Sequence, residues 1–117
     1  KTNSRVYWGD KLADDFAWHN GNSGLMPRPV GRKKPNAFGL YDMIGNVWEW
    51  TQDCYSEDWY SKKQAAGELL LNRTPGCAPH VARGGAWTSY TLSVSERKAD
   101  SYNDADQGFR CAKDARE

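Results

Sequence analysis

Asn36-Ala37-Phe38-Gly39-Leu40-Tyr41-Asp42-Met43-Ile44-Gly45-Asn46-Val47-Trp48-Glu49-Trp50 is the stretch on which the fold turns. It is too apolar for a surface loop, and Gly39 and Gly45 interrupt it as a helix. It reads as a turn, then a short helix or bend near Asp42, then a buried strand or extended piece over 47–51.

Upstream, residues 1–35 are closely punctuated by Gly, Pro, Asn and Asp, and Trp8, Phe16 and Trp18 are their anchors. Arg32-Lys33-Lys34 reads as a solvated loop. Downstream, 62–71 has helix-favouring composition weakened by Gly67. Residues 80–87 read as a strand entering a Gly84-Gly85 bend. The stretch 88–107 is polar and rich in Ser, Asp and Tyr, and 108–113 reads as a closing strand. There are no repeats, no heptads and no linker between two domains.

Composition agrees with an irregular fold built on rings. Val, Ile, Leu and Phe supply only 16 of 117 residues, but there are six Trp, six Tyr and three Phe. Each ring buries roughly 150–250 Å², so the chain is expected to be folded around an aromatic core, with Trp48, Trp50 and Trp87 at its centre. The class expected is α+β with little regular secondary structure. The formal charge of +1 argues against a general nucleic-acid binder. No apolar run is long enough for a membrane span. The chain opens on Lys1 rather than Met, which reads as a mature, trimmed or partial product.

Three segments together carry a resemblance: 35–53 (PNAFGLYDMIGNVWEWTQD), 81–87 (VARGGAW) and 108–110 (GFR). Tyr7-Trp8-Gly9-Asp10 and Pro29-Val30-Gly31 fit it too. In order and spacing the chain resembles the formylglycine-generating enzyme (sulfatase-modifying factor) family over nearly its whole length. The resemblance implies a variant of the C-type lectin fold. It also implies that residues 1–117 form the C-terminal half of the family domain, with the N-terminal half as an expected partner.

Catalysts of that family oxidise a substrate cysteine with O2 and a copper ion held by two cysteines. Copper(I) wants soft thiolates. The matching positions here are Ser89 and Val94, so copper is not expected. An iron-dependent branch uses three histidines; only His19 and His80 exist here. The resemblance further implies a structural calcium held by Asp42, Gly45, Val47 and Glu49. Calcium takes 6–8 hard oxygens, and two carboxylates and two carbonyls suit it. On residue chemistry alone, Asp42 could equally cap a helix and Glu49 could pair with a cation.

In a non-catalytic branch of the family the stretch matching 88–107 is the ligand-contact surface. Contact by Trp87, Ser89, Tyr90, Arg97, Tyr102 and Asn103 with a protein or peptide is the corresponding expectation, and Tyr suits such a surface. The function expected is a non-copper, lectin-like binding or accessory domain. The alternative is a formylglycine-generating-type oxidoreductase acting on protein cysteine, with catalytic groups missing from this chain or replaced.

Family members that resemble this chain carry cysteines at 54 and 77. A Cys54–Cys77 bridge would close a poorly anchored segment and constrain the unfolded chain by about 3 kcal/mol. It would place the protein in the periplasm, at the cell surface or outside the cell. Free buried thiols in a cytosolic protein are the alternative reading. Cys111 is left either free and buried or tied to a cysteine in the N-terminal half.

Overall fold

The computed structural model describes residues 5–9, 11–66, 72–100 and 104–115. Its regular elements are β1 (Trp48–Cys54), α1 (Trp59–Ala66), β2 (His80–Arg83), β3 (Arg97–Asp100) and β4 (Gln107–Gly108), after a 3₁₀ turn at Ala13–Asp15. The four strands form one sheet in the order β3-β2-β1-β4. β2 runs antiparallel to both β1 and β3, while β4 lies parallel to β1.

β1 is the expected strand, extended to Cys54. Its aromatic and β-branched residues fit a half-buried pleated surface. A bulge between Trp50 and Cys54 interrupts its register with β2. Thr51 stitches that bulge: its hydroxyl donates to the Val81 carbonyl at 3.0 Å and accepts the Asp53 N–H at 3.3 Å. β3 lies within the polar stretch 88–107, to which the sequence assigned no regular element. Its charged residues have weak strand propensity, and pairing with β2 at four positions makes it a strand.

The expected helix over 62–71 begins earlier, at Trp59, and is described to Ala66; residues 67–71 lie outside the described residues. It is pinned from the sheet. The Arg97 guanidinium stands 4.7 Å and 4.6 Å from the ring centroids of Tyr55 and Tyr60, a geometry that favours cation–π attraction. Arg97 Nη2 also donates to the Ser56 and Glu57 carbonyls, and Arg83 Nη2 donates to the Tyr60 hydroxyl. The base of the insert is closed by a Cys54–Cys77 disulfide with Cα atoms 5.9 Å apart.

The core falls into two clusters. Trp8 and Phe16 stack with centroids 5.6 Å apart, Tyr7 meets both edge-on, and Ala17 and Ile44 complete the packing. Trp48 packs with Ala82 and Ala86, with Trp50 against them. The aromatic centre is therefore only partly the expected one. Trp48 is buried, but Trp50 and Trp87 are only half-buried. Trp48 packs against the small side chains of Ala82 and Ala86, Trp50 lies at the margin of that cluster, and Trp87 is in neither cluster.

The closing strand is also shorter than expected. Only Gln107 and Gly108 pair with β1, opposite Trp48 and Glu49. From Phe109 on, the chain has no ladder partner among the described residues, so Phe109 is 72% exposed and Cys111, expected to be buried if free, is a free thiol on the surface.

Candidate functional site

The segment from Asp42 to Val47 is a bend with no helix, so Asp42 is not a helix cap. Its backbone turns through left-handed conformations at Asp42 (φ 54°), Gly45 (φ 83°) and Asn46 (φ 66°). Gly45 is required there twice over. Its conformation disfavours a side chain, and a Cβ would stand 2.4 Å from the Trp18 carbonyl oxygen. Gly84 faces it under a similar limit, since a Cβ would come 2.9 Å from the Met43 carbonyl oxygen. The two glycines let backbone meet backbone. Gly45 N–H donates to the Gly84 carbonyl at 2.8 Å, and Trp87 N–H donates to the Asn46 carbonyl at 2.7 Å.

Asn46, which sequence reasoning did not single out, holds this junction. It is buried, and its amide both accepts from Arg28 N–H at 2.9 Å and donates to the Arg28 carbonyl at 3.0 Å. Its own N–H donates to the Trp18 carbonyl. The legible signal was an Asn directly after Gly45, the residue type that best tolerates a left-handed backbone outside glycine.

Asp42 is buried to 6% exposure. One carboxylate oxygen accepts the Gly31 N–H at 2.8 Å; the other, Oδ1, is shielded from water and has no hydrogen-bond partner. Glu49 accepts from Arg110 Nε at 2.6 Å, while Arg110 Nη2 reaches the Asp42 carbonyl. The alternative reading of Glu49 as a salt-bridge partner is thus seen directly. Among the described residues no three His, Cys, Asp or Glu side chains converge on a common point. A cation at this turn would therefore depend on two carboxylates and on backbone carbonyls such as those of Gly45 and Val47. The donor set fits calcium on one observation: a buried, unpaired carboxylate oxygen is what a hard cation would satisfy.

The polar face is arranged around the same junction. Ser89 is turned inward, its hydroxyl accepting the Ala86 N–H at 2.9 Å, and its carbonyl accepts from Asn20. Val94 is 52% exposed and its N–H donates to Arg5. Tyr90 is 86% exposed. Trp87 is half-buried, and its indole Nε1 has no hydrogen-bond partner. Arg97 is engaged inward by Tyr55 and Tyr60, so a ligand would compete with those rings for it. Tyr102 and Asn103 lie outside the described residues. Below this face Thr88 donates to Asp106 at 2.9 Å, and Lys98 stands 5.0 Å from the Trp48 ring centroid.

The two histidines lie apart in role. His19 Nδ1 accepts the Gly21 N–H, and its Nε2 is 2.7 Å from Asp14. His80 begins β2 and is exposed.

Comparison with known proteins agrees with this architecture. Residues 1–115 match the family model described as Sulfatase-modifying factor enzyme 1-like domain. The formylglycine-generating enzyme of Streptomyces coelicolor is 30% identical over 132 residues, covering 95% of this chain and 41% of that protein. The inactive C-alpha-formylglycine-generating enzyme 2 of Mus musculus is 34% identical over 110 residues, covering 92% of this chain and 30% of its own length. Among solved structures, Treponema denticola variable protein 1 superposes with a TM-score of 0.68 at 27% identity, covering 93% of this chain and 41% of that one. The chain thus spans at most about two-fifths of the length of these relatives.

Proposed function

This chain belongs to the sulfatase-modifying factor enzyme 1-like family, and we propose that it serves there as a lectin-like binding or accessory domain without copper chemistry. The observation that carries this is the state of the two positions where the family's catalysts place thiols. Ser89 spends its hydroxyl on the Ala86 N–H within its own turn, and Val94 is a hydrocarbon. Neither offers the soft thiolate that copper(I) selects. Contact with a protein or peptide ligand is assigned to the face bearing Trp87 and Tyr90, within and beside residues 88–107. The N-terminal half of the family domain is assigned as the chain's structural partner.

Calcium is proposed as a structural ion at the 42–49 turn, held by Asp42, Glu49 and the carbonyls of Gly45 and Val47. When bound it would neutralise the buried Asp42 carboxylate and brace the junction with the Gly84-Gly85 bend. The Cys54–Cys77 bridge supports an oxidising compartment: periplasm, cell surface or extracellular space.

The test is a copper(I) titration of the protein combined with oxygen consumption on a cysteine-containing peptide. No stoichiometric copper binding and no oxygen uptake above the peptide control are expected. Stoichiometric binding with turnover would replace this reading by the oxidoreductase one.

A further inference from the structure

We propose that Asn20 is a self-modification site, converted through a succinimide to an aspartyl or isoaspartyl residue, with His19 as the base and Asp14 as its positioning residue. Asn20 and Gly21 are the central residues of a tight turn, closed by the Asn22 N–H donating to the His19 carbonyl at 3.2 Å. Within that turn the Gly21 N–H donates to His19 Nδ1 at 3.1 Å. An Nδ1 that accepts carries no proton, so the ring proton sits on Nε2, 2.7 Å from Asp14 Oδ1. Carboxylate, imidazole and the N–H to be deprotonated thus stand in the order that activates a nucleophile.

The nucleophile is the Gly21 nitrogen. It gives its proton to His19 Nδ1 and bonds to the side-chain carbonyl carbon of Asn20, closing a five-membered ring. The Asn20 amide nitrogen takes that proton from His19 and leaves as ammonia. Water then opens the succinimide: attack at the side-chain carbonyl gives the aspartyl form, attack at the main-chain carbonyl the isoaspartyl form. No oxidant or reductant is needed. Glycine suits the step because no side chain shields its nitrogen, and a Cβ there would stand 3.0 Å from His19 Cε1.

Asn22-Ser23, in the same turn, lacks each of these features. The Asn22 side chain is held at both ends, Oδ1 accepting the His19 N–H at 2.8 Å and Nδ2 donating to the Ala17 carbonyl at 2.9 Å. The Ser23 nitrogen donates to the His19 carbonyl at 2.9 Å, and a carbonyl is too weak a base to take an amide proton. The Asn20 side chain is tied by no hydrogen bond among the described residues, so it can turn onto the Gly21 nitrogen. The turn also holds the polar face. Asn20 N–H donates to the Ser89 carbonyl at 3.0 Å, and the Ser23 hydroxyl to the Trp87 carbonyl at 3.0 Å. An isoaspartyl residue adds one main-chain carbon at the first of these ties, so the modification slackens the hold on Ser89.

Conversion of Asn20 is followed in the intact protein at neutral pH, by peptide mapping and isoaspartyl methyltransferase labelling, against a synthetic peptide of residues 16–24. The folded protein is expected to convert Asn20 roughly tenfold or more faster than the peptide and to leave Asn22 unchanged. His19→Phe should bring the rate down to the peptide's or below it. Asp14→Asn should slow conversion in the presence of His19 but not in a His19→Phe background, whereas a merely structural Asp14 would slow both. Ring ¹⁵N shifts of the unmodified protein should place the His19 proton on Nε2, a readout that needs no variant to fold. A folded protein no faster than the peptide, a His19→Phe variant that keeps the original rate, or a ring proton on Nδ1 would each overturn the proposal.

Discussion

Arg110 and Glu49 form an ion pair at 2.6 Å between side chains that are 40% and 18% exposed. The remaining guanidinium nitrogens reach the Tyr41 and Asp42 carbonyls at 2.9 and 3.0 Å. One planar group just beyond β4 thereby holds a turn that lies 68 residues earlier in sequence. Removing it leaves a partly buried carboxylate and two carbonyls without their donors. Arg110→Met is expected to cost roughly 1–3 kcal/mol, read from the urea midpoint. Arg110→Lys should recover little, because a point charge cannot reproduce the fork.

Calcium at the same turn predicts a melt that responds to chelator. An ion that binds only the folded state stabilises it by about 2.7 kcal/mol at a hundredfold excess over its Kd. EDTA should lower Tm, and Glu49→Ala should lower it without any further effect of EDTA. Identical calorimetric traces with calcium and with EDTA would remove the ion from this turn.

Gly45 and Gly31 separate two costs of adding a methyl group. Gly31 has φ 73° and open space around its missing side chain. Gly31→Ala should therefore carry only the left-handed penalty, about 1–2 kcal/mol. Gly45→Ala adds the collision with the Trp18 carbonyl and should destabilise clearly more. Equal denaturation midpoints for the two variants would contradict the close backbone approach.

Tyr7 connects the first core cluster to alkaline stability. Burial, and then the Asp42 charge, raise its pKa above 10.0. The folded state thus retains a proton that the unfolded chain loses near pH 10. Stability from this source is complete below pH 10 and declines as pH rises from there through the folded pKa. Tyr7→Phe should flatten that alkaline decline. At pH 7 it should cost little, since the hydroxyl has no hydrogen-bond partner to lose. An unchanged alkaline limb in pH-scanned unfolding would exclude Tyr7 as its source.

The disulfide and the Arg97 clamp hold the insert independently. In protein taken from its native compartment, alkylation without reductant should leave Cys54 and Cys77 unmarked; three marked cysteines would remove both the bridge and the case for an oxidising compartment. Reduction should cost about 3 kcal/mol for a loop of this size. Arg97→Met should loosen α1 further, seen as faster amide exchange over 59–66.

The sequence by itself determined what depends on local chemistry and on motif. The 36–50 stretch announced a turn, a short helix or bend near Asp42 and a strand or extended piece after it, because glycines interrupt a long helix there and aromatic and β-branched residues suit a pleated surface; that the Asp42 segment is a bend was settled by the structure. Its motifs placed the chain in its family, and the paired positions of Cys54 and Cys77 foretold the bridge. Tertiary structure decided the rest. Arg97-Lys98-Ala99-Asp100 is a strand only because β2 offers it an edge, and propensity cannot report a neighbour 14 or more residues away. The aromatic core is divided between a cluster on Trp8 and Phe16 and one on Trp48 with Trp50 against it, while Trp87 stays half-buried, because burial depends on which rings meet other parts of the chain. Asn46 and Arg110 acquire their roles from carbonyls distant in sequence. The closing strand stops at Gly108 because a strand extends only as far as it has a partner.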